Sequence, residues 1–275
     1  MNIVGIGSAG CNIAEVFSQY PQYKIFKIDV DISGKGCYNI PKFEEVEQYE
    51  SYDYPKIKSF FKGLKGETTC IIGGSGKVSC GSLKILENIK DRPISILYVK
   101  PDIEMLNEKQ KMIEKVVYNV LQEYARSGVF KNMMIINNAE IDHMIGGAPI
   151  IGYHDALNET LVPTLHMLNY FLNTSPVSGG IPKAKETHRI YTVGAFDTKK
   201  NEEKMFFSLD KPRSKCYIYG VNEEKLRTDK SLMKTIKKQI DSKKEENVEV
   251  TYAVYPVEYE NDIGYVISRT PNIQK

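Results

Sequence analysis

The sequence lacks several signatures that would narrow its class at once. No apolar run approaches the roughly 20 residues needed to cross a membrane. An apolar strand pattern begins at residue 2, which leaves no room for a signal peptide. No repeat of fixed period is visible. The 5 cysteines (Cys11, Cys37, Cys70, Cys80, Cys216) are odd in number and form no CxxC pair. They fit a reducing, cytoplasmic setting better than a disulfide framework. The 4 histidines (His143, His154, His166, His188) have no metal-ligand spacing with one another or with cysteine, so no metal site is assigned. A net charge of +2 gives no global argument for a nucleic acid or a membrane surface. What remains is a 275-residue chain with 41% hydrophobic residues, enough to build one large domain or two modest ones.

Against that background two glycine-rich loops stand out. Gly5-Ile6-Gly7-Ser8-Ala9-Gly10-Cys11-Asn12 follows the apolar start Met1-Asn2-Ile3-Val4. Gly73-Gly74-Ser75-Gly76-Lys77-Val78-Ser79-Cys80-Gly81-Ser82 follows Thr69-Cys70-Ile71-Ile72. Each sits where a buried strand gives way to a helix. Glycine there lets the backbone approach a ligand, and the helix start offers free N–H donors to an anion. Two such loops in one sheet point to a nucleotide held from both sides. Gly76-Lys77 is not a Walker motif, because Val78 stands where that motif needs Ser or Thr.

Strands and helices alternate along the first part of the chain. Apolar strands are expected at Ile3–Val4, Lys24–Asp31, Thr69–Ile72, Ile94–Val99 and Met133–Ile136. Between them lie helical stripes such as Ile13, Val16, Phe17, Tyr20 and Ile113, Val116, Val117, Val120, Leu121, Tyr124. Residues 32–54 read as a long surface loop with little structure. Continuous apolar strands between amphipathic helices mean a parallel, Rossmann-like sheet covered on both faces. A leucine stripe (Leu157, Leu161, Leu165, Leu168, Leu172) marks a long central helix, with Pro163 expected to kink or restart it. Residues 174–185 are Gly/Pro/Ser-rich. The expected division is a nucleotide-binding domain at 1–173, a linker at 174–188 and a smaller mixed α/β domain at 189–275.

This order of elements resembles the tubulin/FtsZ superfamily across nearly the whole chain: strand, Gly-Ile-Gly-Ser-Ala-Gly-Cys-Asn, helix, strand ending in Asp, loop, strand, Gly-Gly-Ser-Gly-x-x-Ser-x-Gly, helix. The first loop is a good match and the second a partial one, interrupted by Lys77 and Val78. The short length points to a divergent member, of the kind borne by phages or plasmids. The resemblance implies GTP and GDP binding with Mg²⁺, head-to-tail self-assembly into filaments, and hydrolysis completed across the subunit contact. Under it, Gly5, Gly7, Ser8, Ala9, Gly10, Cys11 and Asn12 form the first phosphate loop, with Asn12 placed to reach the guanine. Gly73, Gly74, Ser75, Gly76 and Ser79 form the second. Asn137 or Asn138 lies where base or ribose is approached, and Asn158 pairs with the guanine edge. The family's acid pattern after the central helix is missing: in 174–188 Glu186 is the sole carboxylate, and Lys183 and Lys185 are cations. Slow or absent hydrolysis is therefore expected, with Glu186 the local candidate.

Other readings stay open on sequence alone. Gly10 to Asp29 fits the spacing of a dinucleotide fold, with Asp29 a ribose-binding acid or a strand-end residue. An NAD(P)-dependent oxidoreductase would use that pair, but no set of His, Lys and Tyr reads as hydride-transfer machinery. A non-catalytic assembly protein that keeps the fold is the third reading.

Overall fold

The computed structural model describes residues 1–275. The chain divides into two compact units, Met1–Val162 and Pro163–Lys275. The divide falls at Pro163, inside a helix that runs unbroken from Tyr153 to Leu172. Pro163 therefore does not restart the helix.

In the first unit the order is β1 (Asn2–Ile6), α1 (Gly7–Phe17), β2 (Lys24–Val30), β3 (Cys37–Ile40), α2 (Val46–Ser51), α3 (Ile57–Phe60), β4 (Thr68–Gly73), α4 (Lys77–Cys80), α5 (Ser82–Glu87), β5 (Ile94–Lys100), α6 (Glu108–Arg126), β6 (Asn132–Asn137), α7 (Asn138–Ile145) and the start of α8 (Tyr153–Leu172). The strands lie side by side as β3-β2-β1-β4-β5-β6. All five pairings are parallel; Val4, for example, stands beside Phe26 on one side and Cys70 on the other. This is the doubly wound order, in which chain direction across the sheet reverses between β1 and β4. The central strands are mostly apolar because both faces are covered: Ile3, Val4, Ile6, Cys70, Ile71, Ile72 and Met133 are all buried. Helix α6 begins at a capping box in which Asn107 and Gln110 serve each other's backbone N–H.

The segment 32–54 is not the unstructured loop that its polarity predicts. It supplies the edge strand β3 and helix α2. Two of its four tyrosines are core residues: Tyr49 and Tyr54 are buried, and Tyr38 and Tyr52 are partly so. Tyr54 donates to the Tyr49 carbonyl at 2.7 Å, and Tyr49 accepts from the Phe43 N–H at 3.0 Å. A tyrosine packs its ring into a core when its hydroxyl finds a partner, so a polar composition here hides an aromatic core.

The second unit holds β7 (Ser178–Gly179), β8 (Ile190–Asp197), β9 (Glu202–Met205), β10 (Ser214–Asn222), α9 (Glu223–Thr228), α10 (Leu232–Ser242), β11 (Glu249–Val257) and β12 (Ile263–Thr270). Strands β8, β12, β10, β11 and β7 are neighbours in that order, and β9 pairs with β8. Only β10 and β11 run parallel; the other pairings are antiparallel. Phe196, Tyr217, Tyr219, Val254 and Val266 from the strands pack with Ile236 and Ile240 of α10. Glu203 is held among Tyr217, Lys215 and Lys243, at 2.6, 3.3 and 3.1 Å.

Candidate functional site

In a doubly wound sheet the crevice outside the carboxyl ends of the strands, at the reversal point, is the natural ligand position. The first unit has a cleft of about 300 Å³ there. From the first loop it is lined by Gly7, Ser8, Ala9 and Asn12, and from the second by Gly73, Gly74, Ser75, Gly76 and Ser79. Asn138 of α7 and Asn158 of α8 complete it, with His154 one turn before Asn158. The two loops nearly touch: a Cβ on Gly73 would stand 2.8 Å from that of Ala9.

Helix α1 begins directly out of β1. No side chain caps it and its first turn carries no acid, so the N–H groups of that turn have no partner within the helix. They are the donors an anion would use, and the helix dipole adds to their pull. Gly7 opens the helix with φ +73°, a backbone geometry that side-chain-bearing residues adopt at a cost. Neither acid nor Lys nor Arg lines the cleft. The polar groups it offers are backbone donors, serine hydroxyls, His154 and neutral amides. Lys77 points elsewhere, donating to the Glu44 carbonyl at 2.6 Å.

The second loop is anchored from beneath. Gly74 N–H donates to the Val99 carbonyl at 3.0 Å, and Ser79 Oγ donates to the Gly73 carbonyl. Under Gly74 lies a buried polar cluster. Tyr98 donates to Glu114 at 3.1 Å, Lys100 pairs with the same carboxylate at 2.7 Å, and the Lys100 ammonium sits 4.0 Å above the Tyr118 ring. Burial, reinforced by the Glu114 charge, holds the Tyr98 hydroxyl well above its ordinary titration range.

No protein-family model matches the sequence, and no curated protein sequence matches it. Solved structures do. TubZ of Bacillus thuringiensis serovar israelensis, in a GTPγS-form protofilament, superposes with a TM-score of 0.72 at 13% identity, covering 98% of this chain and 86% of that one. CetZ2 from Haloferax volcanii, a GTPγS-bound protofilament, gives 0.70 at 12% identity over 97% and 92%. FtsZ of M. jannaschii gives 0.67 at 12% identity over 98% and 87%. The chain has the tubulin/FtsZ fold.

Within the tubulin/FtsZ fold of this chain, six expected site residues stand outside the cleft lining. Gly5 and Gly10 serve packing: a Cβ on Gly5 would lie 2.7 Å from the Cys11 Cα, and one on Gly10 would strike the Ile71 carbonyl. Cys11 is buried, its thiol directed at the Gly5 and Ile28 carbonyls at 3.5 and 3.6 Å. Burial, with Asp29 nearby, pushes that thiol up to about 12. Asp29 is buried and accepts from Ser8 Oγ at 2.8 Å, so it fastens the first loop. Asn137 caps α7 by accepting from the Ala139 N–H at 2.9 Å, leaving Asn138 as the one that faces the cleft. Glu186 belongs to the second unit and is exposed. Nearby Lys185 pairs with Glu249 at 2.8 Å. Sequence reasoning missed His154 and Gln110, single polar residues on amphipathic helices with no motif around them.

No group of three or more His, Cys, Asp or Glu side chains is arranged to hold a metal ion. The cleft accordingly fits Mg²⁺ only as a companion of phosphate oxygens and water. No helix is long and apolar enough to cross a membrane.

Proposed function

We propose that this chain binds a guanine nucleotide between its two glycine-rich loops and self-assembles head-to-tail into cytoskeletal filaments, hydrolysing GTP slowly or not at all. The observation that carries the reading is the convergence of both loops, Asn12, Asn138 and Asn158 on one acid-free cleft at the point where the sheet reverses. That the solved neighbours TubZ and CetZ2 are GTPγS-form protofilaments supports it. The first-turn N–H groups of α1 and the backbone of 73–76 would hold the phosphates, with Mg²⁺ bound through phosphate oxygens and water. Asn12 and Asn158 each offer a donor and an acceptor, a set that satisfies the guanine edge and leaves adenine unpaired. A head-to-tail contact joins two different surfaces, so it grows without closing.

Turnover is the part for which the chain is poorly equipped. Positioning of the attacking water needs an acidic or polar side chain at the phosphates. The cleft has no carboxylate, and 174–188, the stretch expected to meet the neighbour's nucleotide, has Glu186 alone. That supports the variant reading of a filament protein without catalysis. The oxidoreductase alternative loses its ribose acid, since Asp29 is engaged by Ser8 and lies off the cleft. Sedimentation with GTP and with a non-hydrolysable analogue, run beside phosphate release, tests the proposal. Pelleting with both and little phosphate supports it. A monomer with either nucleotide refutes assembly.

A further inference from the structure

One end of the second unit's sheet gathers positive charge. Arg269, near the end of β12, stands between Tyr191 of β8 and Ser214 of β10. The Arg213 N–H donates to the Arg269 carbonyl at 2.8 Å, and the Glu249 N–H donates to the Arg213 carbonyl at 3.0 Å. Lys185 reaches the same end by pairing with Glu249 at 2.8 Å, and the His188 N–H donates to the Lys185 carbonyl at 2.9 Å. The carboxylate of this group, Glu249, is thus already engaged by a lysine.

Arg269 is the anomaly. It is only 9% exposed, yet its guanidinium donates no hydrogen bond and belongs to no ion pair. The ionisable groups that act on it are Tyr191 and Cys216. Burial pushes the Tyr191 hydroxyl up to about 12 and raises the Cys216 thiol too, so neither supplies a negative charge at neutral pH. A guanidinium has five N–H donors and does not shed its proton. Burying one without a counter-ion is costly, and an oxyanion offsets that cost by accepting two parallel N–H bonds from the fork. Arg213 is exposed and adds a second guanidinium with no carboxylate of its own. Two such charges match a phosphate dianion, whereas a carboxylate neutralises only one.

We infer that Arg269 and Arg213 hold a phosphate group, free or as the monoester of a small molecule, at this end of the second unit's sheet. Arg269 grips two phosphate oxygens, and Arg213 closes the site from the solvent side. The half-buried His188 is the neighbouring ring that senses the bound charge: burial first, then Lys185, Arg269 and Arg213, hold its imidazole below the usual range. All these residues lie within Pro163–Lys275, so the site is independent of the cleft in the first unit and of the nucleotide reading.

The test titrates the full chain with sodium phosphate at fixed pH and ionic strength, following the ring signals of labelled histidine. The His188 signal should move and saturate, and its pKa should rise in saturating phosphate, because the bound anion offsets the cations around it. Arg269→Met should weaken phosphate binding by about thirtyfold or more. It should melt no lower than the unmutated protein in phosphate-free buffer, since an apolar side chain replaces an unpaired buried charge. Arg213→Gln, at an exposed position, should fold normally and weaken binding by about two- to fivefold. Glycerol phosphate, titrated in the same way, separates the sources: tighter binding than inorganic phosphate assigns a monoester, and weaker binding assigns the free ion. Lack of saturable movement of His188, equal movement in Arg269→Met, or equal affinity for acetate overturns the phosphate site. Movement of His154 alone places the phosphate in the first unit's cleft and overturns it as well.

Discussion

Gly74 is a position where the account can be tested by a single methyl group. A Cβ there would lie 2.9 Å from Tyr98 Cζ and 3.0 Å from Glu114 Cγ, closer than carbon atoms approach, and would overlap the Tyr98 hydroxyl. Neither side can yield easily. Gly74 is tied to the Val99 carbonyl at 3.0 Å, and Tyr98 is fully buried, with its hydroxyl on the Glu114 carboxylate that Lys100 also holds. Forcing one methyl into such a site costs about 1–3 kcal/mol. Gly74→Ala should therefore lower the unfolding free energy from urea titration by that amount, and should weaken GTP binding about tenfold by lifting the second loop from its seat. Tyr98→Phe removes the clashing hydroxyl, at about 1.5–3 kcal/mol for a lost bond to a charged acceptor. The two costs overlap, because both act on the same hydroxyl. Gly74→Ala/Tyr98→Phe should thus be less destabilised than the sum of the singles by about 1 kcal/mol, as directly contacting positions commonly are. Urea unfolding of the four proteins, with GTP titration of each, measures the coupling. Strict additivity, or a Gly74→Ala protein that matches the unmutated one in both assays, would refute the argument.

Three further outcomes are expected. Asn158→Ala should weaken GTP binding by about 1–3 kcal/mol, the cost of leaving a buried polar group unpaired, with ATP a poor competitor against the unmutated protein; equal competition by ATP would remove the guanine assignment. Glu186→Ala should abolish whatever slow phosphate release the filament shows, and release that survives would place the catalytic carboxylate elsewhere. Burial alone would raise the Glu203 carboxyl, but Tyr217, Lys215 and Lys243 hold it lower than usual; its stabilisation is then complete above the unfolded value near ~4.3 and lost as pH falls through the folded one. Glu203→Gln should cost about 1–3 kcal/mol at pH 7 and less at pH 3, as read by thermal melts; an equal cost at both would contradict the ion-pair account.

The parts legible in the sequence are those where one physical demand governs a run of residues. The apolar strands β1, β2, β4, β5 and β6 and the stripe of α6 reflect burial on fixed periods, and both glycine loops lie at strand-to-helix joints. Where one residue answers two demands, the pattern fails. Tyr38, Tyr49 and Tyr54 read as surface because they have hydroxyls, yet each hydroxyl is satisfied by the chain, on Pro55, Phe43 and Tyr49 respectively, and the rings build the packing around β3 and α2. Asp29 has the spacing of a ribose acid, but the Ser8 hydroxyl reaches it first. Asn137 and Asn138 are equivalent in sequence, and only the helix start decides that the former caps and the latter faces the cleft. His154 joins the cleft because it lies one turn before Asn158 on α8, a relation that appears only once Asn158 is itself placed there.

The most direct measurement is calorimetric titration of the nucleotide-free protein with GTP, GDP, ATP and NAD in the presence of Mg²⁺, repeated on Gly7→Val. The account predicts saturable binding of GTP and GDP, little heat from ATP or NAD, and loss of binding in the variant, whose side chain cannot take the φ of +73° that opens α1. Binding of NAD in preference to GTP, or no guanine nucleotide binding at high micromolar protein, would contradict it.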